Sequence, residues 1–173
     1  MRKLLNINVL FFLIAAGWMF SSCSIAYSFS GSSIDYTKVS TISIKDFPNM
    51  APLVYAPLSQ QFTEAVKDKY TRQTKLSILR EGGDLDLEGE ITGYNFASMA
   101  VKDGEYASQT RLTVTVRVRY TNSTNPEEDF EQSYSAYSEF SNERTIDDAQ
   151  DAACEAIIKE IVDQIFNDTV ANW

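Results

Sequence analysis

The chain has 173 residues, a formal net charge of −9, 44% hydrophobic and 12% aromatic residues, and no histidine. This composition excludes a disordered protein, and the acidic excess excludes a nucleic-acid-binding protein. The lack of histidine removes Ser-His-Asp and Cys-His catalytic arrangements and histidine-bearing zinc sites, and no glycine-rich phosphate loop is present. We therefore expect a protein that is not an enzyme, with no catalytic residue, metal or cofactor.

Residues 1–22 have the pattern of a bacterial lipoprotein signal peptide. Two basic residues precede an apolar run over residues 4–20, and two serines follow before Cys23. A basic start, an apolar core and small residues at a cut site are typical of a secretory signal. Small residues before a cysteine resemble the lipobox of bacterial lipoproteins, which implies cleavage before Cys23 and acylation of its sulfur. The alternative is an uncleaved transmembrane anchor, which Asn6 and Asn8 within the run disfavour.

The predicted anchor also sets the expected location and domain organisation. Two or more acyl chains hold a protein firmly at a bilayer. Cys23 is followed by Ser24 rather than by the aspartate typical of inner-membrane retention, so we expect the protein on the periplasmic side of the outer membrane. Cleavage would leave 151 residues with a net charge of −11. Residues 23–36, rich in serine and glycine, predict a lipidated tether, and residues 37–173 predict a single domain.

Apolar periodicity predicts three elements in the first part of this domain. A strand is expected over residues 39–45, and three prolines predict a loop over residues 46–57. A helix should follow, because apolar residues recur at helical spacing, at Leu58, Phe62, Ala65, Val66 and Tyr70. Residues 75–80 predict a short strand or a strand extension.

The second part predicts three longer strands and a helix. Two strands, over residues 84–96 and 109–120, should form a hairpin through Gly104, with Gly89 and Gly93 on the apolar face to make room for a helix. A further strand is expected over residues 129–140. A final helix, capped by Thr145, has an apolar stripe at Cys154, Ile157, Ile158, Ile161 and Ile165. The predicted fold class is α+β: two helices on one face of a mostly antiparallel four-stranded sheet, in the order β-α-(β)-β-β-β-α.

The polar face of this sheet holds the candidate binding residues. One strand presents Arg111, Arg117 and Arg119, and its neighbour presents Glu88 and Glu90. One interpretation is cross-strand charge pairing on a solvated face. The other is that the arginines, together with Lys102, bind phosphates or carboxylates of a ligand, to which guanidinium groups donate paired hydrogen bonds. The two glutamates lie on one strand face and do not form a convergent catalytic pair.

Three further features have structural interpretations. Cys154, on the apolar helix face, is expected to be a buried, inert thiol. Phe130 and Tyr134 should belong to the core, whereas Tyr137 is out of phase with them and is a candidate interface residue. The carboxylates of residues 127–129 predict a solvated turn, with a divalent-ion site as the alternative.

Five stretches of the chain resemble the Bacteroidetes branch of the LptE family of lipopolysaccharide-assembly lipoproteins: YSFSGSSI, FPNMAPLVYAPLSQQFTEAVKDKY, GDLDLEGEITGYNF, RLTVTVRVRYTN and IFNDTVANW. The resemblance implies two helices on a four-stranded sheet. It also implies a plug and assembly factor inside the outer-membrane barrel LptD, in contact with lipopolysaccharide. No motif aligns the family's basic ligand contacts, so the three arginines remain an inference from chemistry. The alternative function is a free periplasmic lipid- or glycan-binding lipoprotein of the same fold.

Overall fold

The computed structural model describes residues 34–99, 109–141 and 145–171. Cys23, Lys102, the hairpin connection at Gly104, the predicted signal peptide and most of the predicted tether lie outside the described residues. The elements in chain order are β1 (Thr41–Ile44), α1 (Ala56–Gln73), β2 (Ser77–Leu79), β3 (Leu85–Met99), β4 (Gln109–Asn122), a 3₁₀ turn (Pro126–Glu128), β5 (Phe130–Ser141) and α2 (Ile146–Val170).

The strands form one five-stranded sheet in the order β2-β1-β3-β4-β5. The three long strands β3, β4 and β5 are antiparallel neighbours, whereas β1 runs parallel to both β2 and β3. The prediction of four strands was therefore wrong. Residues 75–80, predicted as a short strand or a strand extension, contain the separate edge strand β2. It pairs in parallel with β1 because α1 carries the chain back across the sheet. Three residues are too few to show this from their own alternation.

Both helices contribute their apolar stripes to one core. Leu58, Phe62, Val66 and Tyr70 of α1 are buried, as are the five predicted positions of α2. They share a cluster with the inward residues of β3 and β4, among them Leu87 and Val116. The predicted cap of α2 is confirmed, because the Thr145 hydroxyl accepts a hydrogen bond from the Asp148 backbone N–H at 3.2 Å.

The two glycines of β3 lie on opposite faces of the sheet. A Cβ on Gly89 would lie 2.6 Å from Cε1 of the buried Phe47, so this glycine lies on the apolar face as predicted, but it makes room for the connection between β1 and α1 rather than for a helix. The same prediction for Gly93 was wrong. A β-bulge between Ile91 and Gly93 shifts the register, and a Cβ on Gly93 would meet the Thr115 side chain on the polar face. The extra residue reverses the alternation beyond the bulge.

Candidate functional site: the charge ladder on the open sheet face

Strict alternation along β4 positions the three candidate arginines. Leu112, Val114, Val116 and Val118 are buried toward the helices, which leaves the residues between them on the other face. Arg117 and Arg119 are 53% and 57% exposed, and Arg111 is 33% exposed. The described strand therefore presents three guanidinium groups to solvent on one face of the sheet.

Arg117 and Arg119 form a network with carboxylates of both neighbouring strands. Nη2 of Arg119 lies 3.0 Å from Oε2 of Glu131 on β5, and its Nη1 lies 3.4 Å from Oε1 of Glu88 on β3. Arg117 forms an ion pair with Glu90 and lies 3.8 Å from Glu131. Each guanidinium therefore bridges three strands.

Arg111 has a separate set of partners at the far end of β4. Its Nη2 and Nε donate hydrogen bonds to Oε1 of Glu139, at 2.6 and 2.9 Å. The guanidinium carbon also lies 4.2 Å from the ring centroid of Tyr137, which is 56% exposed. A cation over an aromatic face is attracted to it, so Tyr137 helps to hold this arginine in place.

Lys45 extends the network beyond the long strands, because its Nζ lies 2.6 Å from Oε2 of Glu88. The Lys45 ammonium lowers the pKa of Glu88, and the hydrogen bond from Lys45 is the largest cause. Reciprocally, the Glu88 carboxylate raises the pKa of Lys45. Both groups therefore stay ionised through the neutral pH range.

We call the six residues of this network and the separate Arg111–Glu139 pair together the charge ladder: Lys45, Arg111, Arg117, Arg119, Glu88, Glu90, Glu131 and Glu139. With four cations and four carboxylates, the ladder has no net charge. A depression of about 320 Å³ lies against its Lys45 end and includes Pro48. The charge-pairing interpretation thus describes the geometry of the face, and ligand binding by the arginines stays a prediction.

Sequence reasoning missed half of the carboxylate partners and Lys45. Glu131 and Glu139 lie eight positions apart, so both point to the same face of β5 as the odd-numbered positions between them. That signal was present in the sequence. The position of Lys45 was not, because it depends on the parallel pairing of β1 with β3.

The remaining predicted features are mostly structural. Cys154 is fully buried, and desolvation raises the pKa of its thiol to about 11, which keeps it protonated and unreactive. Tyr134 is buried and donates a hydrogen bond to Asp168 at 2.8 Å, and Phe130 packs partly buried against Tyr120.

Two of the three acidic residues in the turn before β5 accept hydrogen bonds from asparagine side-chain and backbone donors. Oε2 of Glu128 accepts from the Asn122 side chain at 2.7 Å, and Oδ1 of Asp129 accepts from the Asn122 backbone N–H at 2.7 Å. Within residues 34–99, 109–141 and 145–171, no cluster of three or more acidic or cysteine side chains has the arrangement of a metal site. The solvated-turn interpretation fits this geometry.

A groove of about 930 Å³ runs between α1 and α2 on their outer side. Its lining includes Ala65, Ala152, Ile158 and Val162 together with charged side chains of both helices. The space between the helices and the sheet is filled by the side chains of the core cluster. Neither described helix is long and apolar enough to cross a membrane.

The affiliation of the chain comes from a family model. The model described as "LptE: Lipopolysaccharide-assembly" matches residues 39–169, which include every described strand and helix except the last residue of α2. The chain belongs to the LptE family. The resemblance to the LptE family is therefore confirmed, and LptE is a family of assembly lipoproteins rather than of enzymes. No curated protein matches the sequence significantly.

Solved structures similar to this LptE-family chain share little sequence with it. Rare lipoprotein B from Shewanella oneidensis superposes with a TM-score of 0.49 at 9% identity, covering 74% of this chain and 89% of that one. A Xanthomonas campestris protein gives a TM-score of 0.49 at 13% identity, with 76% and 85% covered. A minor lipoprotein from Acinetobacter baumannii gives 0.42 at 10% identity, with 73% and 89% covered.

Proposed function

We propose that this LptE-family chain is a non-enzymatic subunit of the lipopolysaccharide transport machinery, anchored by acylated Cys23 on the periplasmic side of the outer membrane. In this role it plugs the LptD β-barrel, helps to assemble it and contacts lipopolysaccharide. The observation that carries the proposal is the family match over residues 39–169. The open, solvated sheet face supports it, because a plug in a water-filled lumen needs a polar exterior.

The contact with lipopolysaccharide is proposed at Arg111, Arg117 and Arg119, with Lys102. A ligand phosphate would have to replace a carboxylate partner of an arginine in the charge ladder. Such a replacement costs little free energy, because an exposed ion pair contributes only about 0–1 kcal/mol to stability. A guanidinium group then donates two parallel hydrogen bonds to phosphate, which is a stronger arrangement than a single contact. Since the ladder is neutral and the chain acidic, the contact must be local.

The test of this contact is a set of arginine variants assayed for binding of purified lipopolysaccharide to the full chain. The triple variant Arg111→Gln, Arg117→Gln and Arg119→Gln should bind several-fold more weakly. The control is Arg72→Gln on α1, whose side chain is 75% exposed and forms an ion pair with Asp68 at 2.8 Å. Equal binding by the triple variant and the control would refute the assignment of the contact to this face.

The barrel partner and the anchor are tested together by purification from detergent-solubilised outer membranes. We expect the chain to co-purify with LptD, and mass spectrometry of its mature N-terminus to find acylated Cys23. Recovery of a lipid-anchored monomer without a barrel would favour the alternative, a free periplasmic lipid- or glycan-binding lipoprotein.

A further inference from the structure

The two edges of the described sheet are very unequal. At one side the sheet ends with β2, a strand of three residues, and at the other with β5, a strand of twelve residues. Every second backbone N–H and C=O of an edge strand points away from the sheet. The β5 edge therefore offers a row of backbone donors and acceptors about four times as long as the β2 edge.

β5 lacks most of the features that protect an edge strand from another chain. It contains no proline and no lysine. Its register with β4 is unbroken from Gln109↔Ser141 to Tyr120↔Phe130, so no β-bulge turns the edge away. Its own residues Gln132, Ser133 and Ser135 are exposed and uncharged.

The charges of β5 act against a second copy of this chain. Glu131 and Glu139 are its only charged residues, and both lie on the polar face. Two antiparallel registers pair almost the full length of two β5 strands with their polar faces on the same side. In the register that places Ser135 of one copy opposite Ser135 of the other, Glu131 of each copy lies opposite Glu139 of its partner. The two glutamates of each such pair repel each other, so this register is disfavoured.

The same charges favour a strand with basic residues. A carboxylate accepts up to about four hydrogen bonds, and both bonds that Arg111 donates go to a single oxygen of Glu139. A neighbouring strand with lysine or arginine opposite Glu131 and Glu139 would therefore add attractive pairs to its backbone hydrogen bonds. Those basic residues would lie eight positions apart on one face.

We propose that the β5 edge binds an extended segment of a different protein, with basic side chains opposite Glu131 and Glu139, and that these two glutamates disfavour the Ser135-centred pairing with a second copy of this chain. The bound segment extends the sheet by one strand beside the charge ladder. This inference does not depend on the proposed role in lipopolysaccharide assembly.

The first test uses a synthetic eleven-residue peptide of alternating threonine and valine, with lysine at positions 2 and 10, added to the full chain in detergent. Residue-resolved hydrogen exchange should show slower exchange at alternate amides of β5 and no change in β2. A peptide with glutamate at both positions should bind about tenfold more weakly, because two attractive pairs become repulsive. A peptide N-methylated along both edges should not bind, since it offers no backbone donor.

The second test measures self-association by analytical ultracentrifugation. The double variant Glu131→Gln and Glu139→Gln should dimerise more strongly than the native chain. The control, Glu155→Gln and Glu160→Gln, makes the same change in charge at two exposed positions of α2 and should not. The proposal is overturned if the lysine peptide leaves β5 exchange unchanged, if the glutamate peptide binds equally well, or if β5 amides are already fully protected in the native chain. Equal dimerisation of the two double variants would overturn the role given to the glutamates.

Discussion

A buried hydrogen bond between the two helices gives a sharp prediction about stability. Tyr70 of α1 is fully buried, and its hydroxyl is bonded to the hydroxyl of Thr169 on α2. The Thr169 hydroxyl also donates to the Ile165 carbonyl at 2.8 Å. Since a threonine hydroxyl has one proton, Tyr70 must be the donor in the interhelical bond. The pKa of Tyr70 is raised, chiefly by desolvation, which keeps this donor protonated.

The two ends of this bond should respond unequally to removal. Tyr70→Phe leaves the Thr169 hydroxyl bonded to Ile165, so only one net hydrogen bond is lost, at a cost of about 1 kcal/mol. Thr169→Val leaves a buried phenol hydroxyl without an acceptor, which costs about 1–3 kcal/mol. In the double variant neither polar group remains. We therefore expect the double variant to be more stable than Thr169→Val alone.

Urea unfolding of the native chain and the three variants measures these free energies. With a typical dependence on urea, a loss of about 2 kcal/mol moves the unfolding midpoint by about 1 M. The control is Thr71→Val, which removes a similar hydroxyl bond to the carbonyl four residues earlier, at an exposed position of α1. It should change stability by less than about 0.5 kcal/mol. Additive effects of the two core substitutions, or a larger cost for Tyr70→Phe, would refute the reasoning.

Three further outcomes are expected. Gly89→Ala should lower the free energy of unfolding by about 1–3 kcal/mol in urea titrations, because its Cβ would overlap Phe47 and the Arg117 carbonyl; native-like stability would contradict this. The pKa of Glu88 is lowered in the folded state, so its stabilising effect is present above its unfolded pKa, about 4.3, and is lost as pH falls through the folded value. Thermal unfolding between pH 5 and pH 2 should therefore cost the native chain more stability than Glu88→Gln, and parallel curves would count against the pair. Cys23→Ala should give a folded but mislocalised protein in cell fractionation and circular dichroism, whereas an unfolded variant would show a structural role for the anchor.

Local periodicity was enough to predict the elements that bury a continuous stripe. The apolar positions of α1 and α2 recur at helical spacing, and those of β4 recur at every second residue; all of these except Ala65 are buried. The candidate site followed from the same alternation, which placed Arg111, Arg117 and Arg119 on one solvated face. Apolar periodicity does not predict a β-bulge, so the face on which Gly93 lies was predicted wrongly.

The sequence by itself determined which face of each long element is apolar, because the repeat of a helix or strand fixes where successive side chains point. It was also enough to predict the family of the chain and to identify the three candidate arginines. Only the tertiary structure decided that Ser77–Leu79 is an edge strand, that Lys45 meets Glu88, and that β5 ends the described sheet. These facts depend on pairings between residues far apart in the chain, such as Ile44 with Leu87. No local pattern encodes such a pairing, because it is selected by the packing of the whole core.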